Sequence, residues 1–167
     1  MNFVFLDKQR CGELLPVLFD ILYENMRDIA PSGLSYEQER SEWLAEVALA
    51  IQKAPRQIVL IKDGGELAGY CQYYVNNSLL MVEEIQLKPA YQRTRVLYRL
   101  CLFLKATVPT DTSWIEAYAD RRNTVSQKLM HSLGMACIGQ SHGEKLLHFR
   151  GEIKTLADNI QSNKKNT

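Results

Sequence analysis

Glu83-Glu84-Ile85-Gln86-Leu87-Lys88-Pro89-Ala90-Tyr91-Gln92-Arg93-Thr94-Arg95-Val96-Leu97 carries an apolar strand, Leu79 to Leu87, through a proline into a helix predicted to begin near Gln92. A strand that stops at proline and restarts as a helix directs the helix's unpaired backbone N–H groups at one place, where a phosphate or other anion can sit. The helix, about Gln92 to Ala106, carries Val96, Leu97, Leu100, Leu102, Phe103 and Leu104 and ends before Val108-Pro109. Trp114 to Ala119 is the next strand. Strand, helix, strand in that order is a crossover, so the strands beginning at Leu79 and Trp114 are expected to be parallel neighbours.

Upstream, Phe3 to Leu6 reads as a short strand. Leu14, Leu15, Leu18, Ile21, Leu22 and Met26 recur at helical spacing, from Gly12 to a stop before Pro31-Ser32-Gly33. Ser35-Tyr36-Glu37-Gln38 has the capping-box pattern of a helix start, followed by Trp43, Leu44, Val47, Leu49 and Ile51. Tyr23, Met26, Tyr36 and Trp43 read first as core, and alternatively as pocket lining if the two helices bridge a cleft. Gln57 to Ile61 and Leu67 to Val75 are expected to pair antiparallel across Gly64-Gly65, where positive φ costs little. Asn76-Asn77-Ser78 then turns the chain into the Leu79 strand, completing a meander.

Downstream, Asn123 to Leu133 is predicted helical, with Gly134 as its left-handed cap. Met135 to Ile138 and Lys145 to Phe149 form a closing hairpin. The polar tail, Gly151 to Thr167, is expected to hold one more helix, Glu152 to Ile160, and frayed last residues.

A chain of 167 residues suffices for one core without disulfides or metal. Its 20 basic and 19 acidic residues are interspersed and leave a net charge of +1. No global field recruits nucleic acid or an anionic membrane, so neither is an expected partner. Cys11, Cys71, Cys101 and Cys137 lie far apart, with no C-x-x-C and no histidine at metal-ligand spacing, and read as buried reduced thiols. The N-terminus lacks a basic n-region and no stretch reaches the ~18 apolar residues of a membrane span. A soluble, cytoplasmic protein is expected.

The element order over about residues 3 to 150 resembles the GNAT superfamily of acyl-CoA-dependent N-acyltransferases. Two stretches carry the resemblance: Ile85 to Leu97, similar to the family's strand, proline and pyrophosphate loop, and Asn123 to Met135, similar to its asparagine-started helix closing in Leu-Gly-Phe, here Leu133-Gly134-Met135. The resemblance implies one GNAT-like domain, 1–150, with a C-terminal extension, 151–167, that is partly helical or disordered. The implied fold is α+β: a mixed, mostly antiparallel sheet of about seven strands, splayed at one parallel pair and flanked by about four helices. It further implies acetyl-CoA as co-substrate, held by backbone groups of Ile85, Gln86 and Leu87, by Gln92, Arg93, Thr94, Arg95, Val96 and Leu97, and by Asn123. Arg95 and Leu97 stand where the family has loop glycines, and Met130 where many members have the tyrosine that protonates the leaving thiolate. Arg93 and Arg95 could replace glycine-exposed amides with charge-assisted phosphate contacts.

Acyl transfer from a thioester to an amine needs a neutral amine, a polarised carbonyl and a fate for the thiolate. In the family's fold the strand matching Leu79 to Leu87 presents N–H groups to the thioester, each worth roughly 3 kcal/mol of barrier when well placed. For the base, Glu83 and Glu84 interrupt an apolar strand; Glu84 is the first choice. Glu116, on one face with Trp114 and Tyr118, is the second. Each reads equally as a salt-bridged or edge-exposed carboxylate. Tyr118, Tyr91 or His131 could supply the acid. A lone helical His131 reads rather as a surface residue, and Asn123 equally as a helix cap. Arg121-Arg122 is a solvated charge pair or an adenine-nucleotide phosphate contact. The acceptor would be a small-molecule amine or a protein amine, and a homodimer through the last strands follows by analogy. The altered loop and Met130 favour, as the alternative, a non-catalytic module that binds an acyl-CoA, another ligand or a protein partner.

Overall fold

A computed structural model of the protein describes residues 1–53, 55–156 and 158. Its described strands form one mixed, mostly antiparallel sheet with the order β1-β2-β3-β4-β5-β7-β6, in which β4 and β5 are the parallel pair. The chain resolves into two compact units, Met1–Tyr74 with Glu84–Arg93, and Val75–Glu83 with Thr94 onward.

In the first unit β1 (Asn2–Phe5) runs antiparallel to β2 (Gln57–Asp63), Phe3 facing Ile61. β2 returns as β3 (Glu66–Asn76) through Gly64 and Gly65, whose φ of 57° and 95° is the all-positive hairpin geometry expected of that pair. The ladder pairs Ile61 with Gly69 but Lys62 with Leu67, so Ala68 is the extra residue of a bulge. Its carbonyl accepts a hydrogen bond from Lys88 N–H at 2.9 Å, where β4 (Leu79–Leu87) ends. Helices α1 (Cys11–Met26) and α2 (Tyr36–Lys53) join β2 and β3 in a core of Leu15, Leu18, Ile21, Val47, Ile51, Ile58, Leu60 and Tyr70. Each such aliphatic side chain contributes about 1.5–3 kcal/mol by leaving water. The capping box opens α2: Gln38 N–H donates to Ser35 Oγ at 3.3 Å, and Ser35 N–H donates to Gln38 Oε1 at 3.1 Å.

In the second unit the parallel ladder pairs Leu79 with Trp114 through Val82 with Ala117, Trp114 and Ala117 lying on β5 (Trp114–Asp120). α3 (Val96–Thr107) buries Val96, Leu97, Leu100, Cys101 and Leu104, one face at helical spacing. α4 (Thr124–Ser132) ends in a Schellman motif: Met135 N–H bonds Met130 carbonyl and Gly134 N–H bonds His131 carbonyl, both at 3.0 Å, with Gly134 at φ 87°. The hairpin of β6 (Ala136–Ser141) and β7 (Leu146–Glu152) follows, and β7 lies between β5 and β6.

Three expectations are corrected. The helix after Pro89 does not begin near Gln92: Pro89–Tyr91 is a single 3₁₀ turn, Gln92 is extended (φ −70°, ψ 153°), Arg93 is left-handed (φ 58°), and α3 starts at Val96. Of the four thiols, Cys71 and Cys101 are buried, but Cys11 is half-buried and Cys137, at the β6 irregularity, is exposed. The helix read over Glu152 to Ile160 starts instead with the end of β7 and a 3₁₀ turn, Ile153–Thr155. Its remainder, Leu156 and residue 158 apart, lies with the final tail outside the described residues. No described helix is long and apolar enough to cross a membrane.

Candidate active site

Glu84, on β4, is held at both carboxylate oxygens. Trp43 Nε1–H of α2 donates to Oε1 at 3.0 Å, and the Tyr70 hydroxyl of β3 donates to Oε2 at 2.5 Å. Burial, reinforced by the neighbouring Glu84 charge, pushes the Tyr70 phenol far up, so it stays protonated and serves as donor. Both donors are neutral side chains, and together they fix the orientation of the carboxylate. Trp43 continues into a run of rings, half-buried except for buried Phe19: it packs against Phe19 at 5.8 Å, Phe19 against Tyr36 at 5.5 Å, and Tyr36 edge-on to Tyr23 at 4.9 Å. Tyr36 donates to Asp20 at 2.5 Å, a bond that raises its phenol pKa. Core packing is therefore the larger part of these aromatics' role, while Met26 ends α1 half-buried.

At the end of β4 the Leu87 carbonyl accepts from Asn25 Nδ2 and from Gln92 Nε2, each at 3.0 Å. Asn25, on α1, also donates to Gln86 Oε1 and accepts from Gln92, again at 3.0 Å. The side chains of Gln86 and Gln92 are thus engaged with the protein itself. Ile85 and Leu87 are half-buried on the same strand. In the loop Arg93, Thr94 and Arg95 are exposed, and Thr94 Oγ1 accepts from Val96 N–H at 3.3 Å. The helix amides before Arg99, whose N–H closes on Arg95 carbonyl, have no intrahelical acceptor. Val96 and Leu97 turn into the core, leaving the two arginines and a threonine hydroxyl as the exposed polar groups here. Such a donor set suits a pyrophosphate. Tyr91 closes the 3₁₀ turn.

The remaining candidates gather in the second unit. Glu116 is only 4% exposed, and it accepts from Arg150 Nε at 2.6 Å and from His148 Nε2 at 2.8 Å, with Arg150 also ion-paired to it. Burial alone would raise this carboxyl's pKa; the bonds from Arg150 and His148 outweigh it and hold the group below its ordinary value. A carboxylate so committed is a weak base. Tyr118, opposite His148 in the ladder, stacks on its ring at 4.4 Å, and Arg150 lies 5.6 Å over Trp114. Asn123 is a helix cap, its side chain accepting from Ser126 N–H at 3.0 Å. Arg122 pairs with Asp120 at 2.9 Å, Arg121 is exposed, and exposed His131 meets Phe149 edge-on at 5.3 Å beside half-buried Met130.

Asn25, Tyr70, His148 and Arg150 escaped the sequence reading. His148 and Arg150 alternate on one strand face, a signal that was present; Asn25 is 62 residues from Leu87 and carries none.

No protein-family model and no curated protein matches this sequence. Solved structures do. The chain is similar to an acetyltransferase from Thermus thermophilus, with a TM-score of 0.70 and 13% identity over 91% of this chain and 97% of that one. It is similar to the PaiA N-acetyltransferase from Thermoplasma acidophilum, determined in complex with coenzyme A, with a TM-score of 0.64 and 14% identity over 91% and 99%. An acetyltransferase of the GNAT family from Staphylococcus aureus follows with a TM-score of 0.63 and 11% identity over 91% and 98%. At these identities the likeness is one of fold, and the chain has the fold of the GNAT acetyltransferases.

Proposed function

We propose that the protein transfers the acetyl group of acetyl-CoA to a primary amine by direct attack. The observation that carries this reading is Glu84, oriented by Trp43 and Tyr70 on the strand that continues into Ile85–Leu87. The amine lone pair attacks the thioester carbonyl carbon. The N–C bond forms, the C–S bond breaks, and the thiolate leaves with the electron pair. Glu84 takes the amine proton through water, and N–H groups of Ile85 to Leu87 stabilise the oxyanion. Arg93, Thr94 and Arg95 hold the pyrophosphate. Met130 cannot return a proton to the thiolate. The acceptor is a small-molecule or protein amine.

The test is thiol release from acetyl-CoA across a broad panel of primary amines. Amine-dependent release is expected, and Glu84→Gln should lower kcat/KM by about 10²–10⁴-fold with the fold intact. Absence of release from every amine by folded protein that binds acetyl-CoA would turn the reading to the non-catalytic acyl-CoA module.

A further inference from the structure

Leu87 is the last residue of β4, and Gln92 opens the loop that precedes α3. Between them the backbone folds back on itself, Tyr91 N–H donating to Lys88 carbonyl at 2.9 Å and Gln92 N–H to Pro89 carbonyl at 3.2 Å. Asn25 reaches this fold from a helix far away in sequence. Its Nδ2 uses both hydrogens, on Gln86 Oε1 and on Leu87 carbonyl, while its Oδ1 accepts from Gln92. Gln92 Nε2 likewise uses both hydrogens, on Asn25 and on Leu87. A carbonyl can only accept, so Leu87 fixes which end of each amide faces it, and both amide NH₂ groups are saturated.

We propose that Asn25 is the positioning residue of the cofactor loop. It clasps Gln92 to the end of β4 and thereby holds Arg93 in its left-handed conformation, which a non-glycine residue keeps only when its surroundings over-determine it. This explains how a loop with Arg95 and Leu97 in place of glycines holds one shape: pre-organisation comes from a side-chain clasp anchored on α1 rather than from glycine turns. It also reassigns Gln92, read from the sequence as a ligand contact, to holding the loop. Releasing the clasp lets Gln92 and Arg93 relax, and binding must then bear the cost of ordering them again. The inference rests on the acetyl-CoA reading above.

The experiment measures coenzyme A affinity by calorimetry, and unfolding midpoints, for wild type, Asn25→Ala, Gln92→Leu and the double variant. Asn25→Asp is added as a near-isosteric variant that keeps the acceptor and loses both donors. Each single change is expected to weaken coenzyme A binding by about tenfold, and the double variant no further, because both residues act through one clasp. KM for acetyl-CoA should rise while KM for the amine stays put, a split that a merely structural loss of packing would not produce. Folded Asn25→Ala and Asn25→Asp that bind coenzyme A within about twofold of wild type would overturn the proposal and leave the function standing, as would additive losses in the double variant. Folded wild-type protein that fails to bind millimolar coenzyme A overturns the acetyl-CoA reading and this proposal with it.

Discussion

The backbone of Gly69 lies so close to that of Gln86 that a β-carbon on Gly69 would stand 2.2 Å from the Gln86 carbonyl oxygen and 2.9 Å from Leu87 Cα. Neither neighbour is a flexible side-chain end, so a methyl group there must displace strand backbone. Gly69→Ala should destabilise the protein by about 1–3 kcal/mol, read as a lower urea midpoint at unchanged m-value. Activity should fall further than stability predicts, since the displaced strand carries the amides assigned to the oxyanion. Gly139→Ala is the control: a β-carbon there meets nothing within 4 Å, and its cost should stay within about 0.5 kcal/mol.

The two donors on Glu84 come from different elements, and each can be removed while an aromatic ring is left at the position. Trp43→Phe deletes the bond to Oε1, and Tyr70→Phe the bond to Oε2. Each is expected to lower kcat/KM by about tenfold, because a carboxylate held by one donor samples more orientations. The double variant should approach Glu84→Gln. Steady-state kinetics with one accepted amine decides this, and two single variants at wild-type rates would separate Glu84 from the chemistry.

Legibility in the sequence followed the range of the forces involved. β4 was read to its observed bounds because its apolar run sits between local signals, the Asn77-Ser78 turn and Lys88-Pro89. The start of α2 was equally legible, since Ser35 and Gln38 satisfy each other's amides within four residues. The start of α3 was placed four residues early because contacts from Asn25 hold Gln92 extended against its helical neighbours. Glu84 stood out as a charge interrupting an apolar strand, but nothing local announces Trp43 and Tyr70 as its donors. Glu116 was visible for the same reason. Its commitment to His148 and Arg150 depends on β7 entering the sheet beside β5, a register that hydrophobic alternation does not encode.

Glu116 and Arg150 should respond unequally to mutation. The Glu116 side chain is 5% exposed and that of Arg150 is 45% exposed, so an orphaned arginine can turn to water whereas an orphaned glutamate stays buried. Arg150→Met is therefore expected to cost about 2–4 kcal/mol, and Glu116→Gln about 1–2 kcal/mol. The lowered pKa of folded Glu116 also sets the pH dependence. Its contribution is fully present above the unfolded value near 4.3 and disappears as pH falls through the lower folded value. Below about pH 5, wild type should lose stability more steeply than Glu116→Gln. Chemical denaturation at a series of pH values measures both, and parallel curves would remove Glu116 from the acid response.

Thiol accessibility provides a check on the two buried cysteines. Burial pushes the Cys101 thiol up to about 12, so it presents no thiolate at neutral pH in the folded protein, and Cys71 is fully enclosed and out of a reagent's reach. A disulfide reagent at pH 8 should label exposed Cys137 first and half-buried Cys11 more slowly. Cys71 and Cys101 should react only on unfolding, and rapid labelling of all four in the native protein would contradict the packing of β3 and α3.

Arg93 sets stability and ligand binding against each other at one residue. Its φ of 58° costs a side-chain-bearing residue about 1–2 kcal/mol that glycine avoids, while glycine adds about 0.4–1 kcal/mol of unfolded-chain entropy. Arg93→Gly should therefore leave the protein slightly more stable, by about 0.5–1 kcal/mol. The same change removes an exposed guanidinium from the loop assigned to the pyrophosphate, so coenzyme A affinity should fall by about tenfold, and less so at high salt. Unfolding midpoints and calorimetric titration on one preparation read both quantities. A rise in stability with unchanged affinity would place the phosphate contact elsewhere in the loop, at Thr94 or Arg95, and a fall in stability would mean that the Arg93 side chain supports the turn it strains.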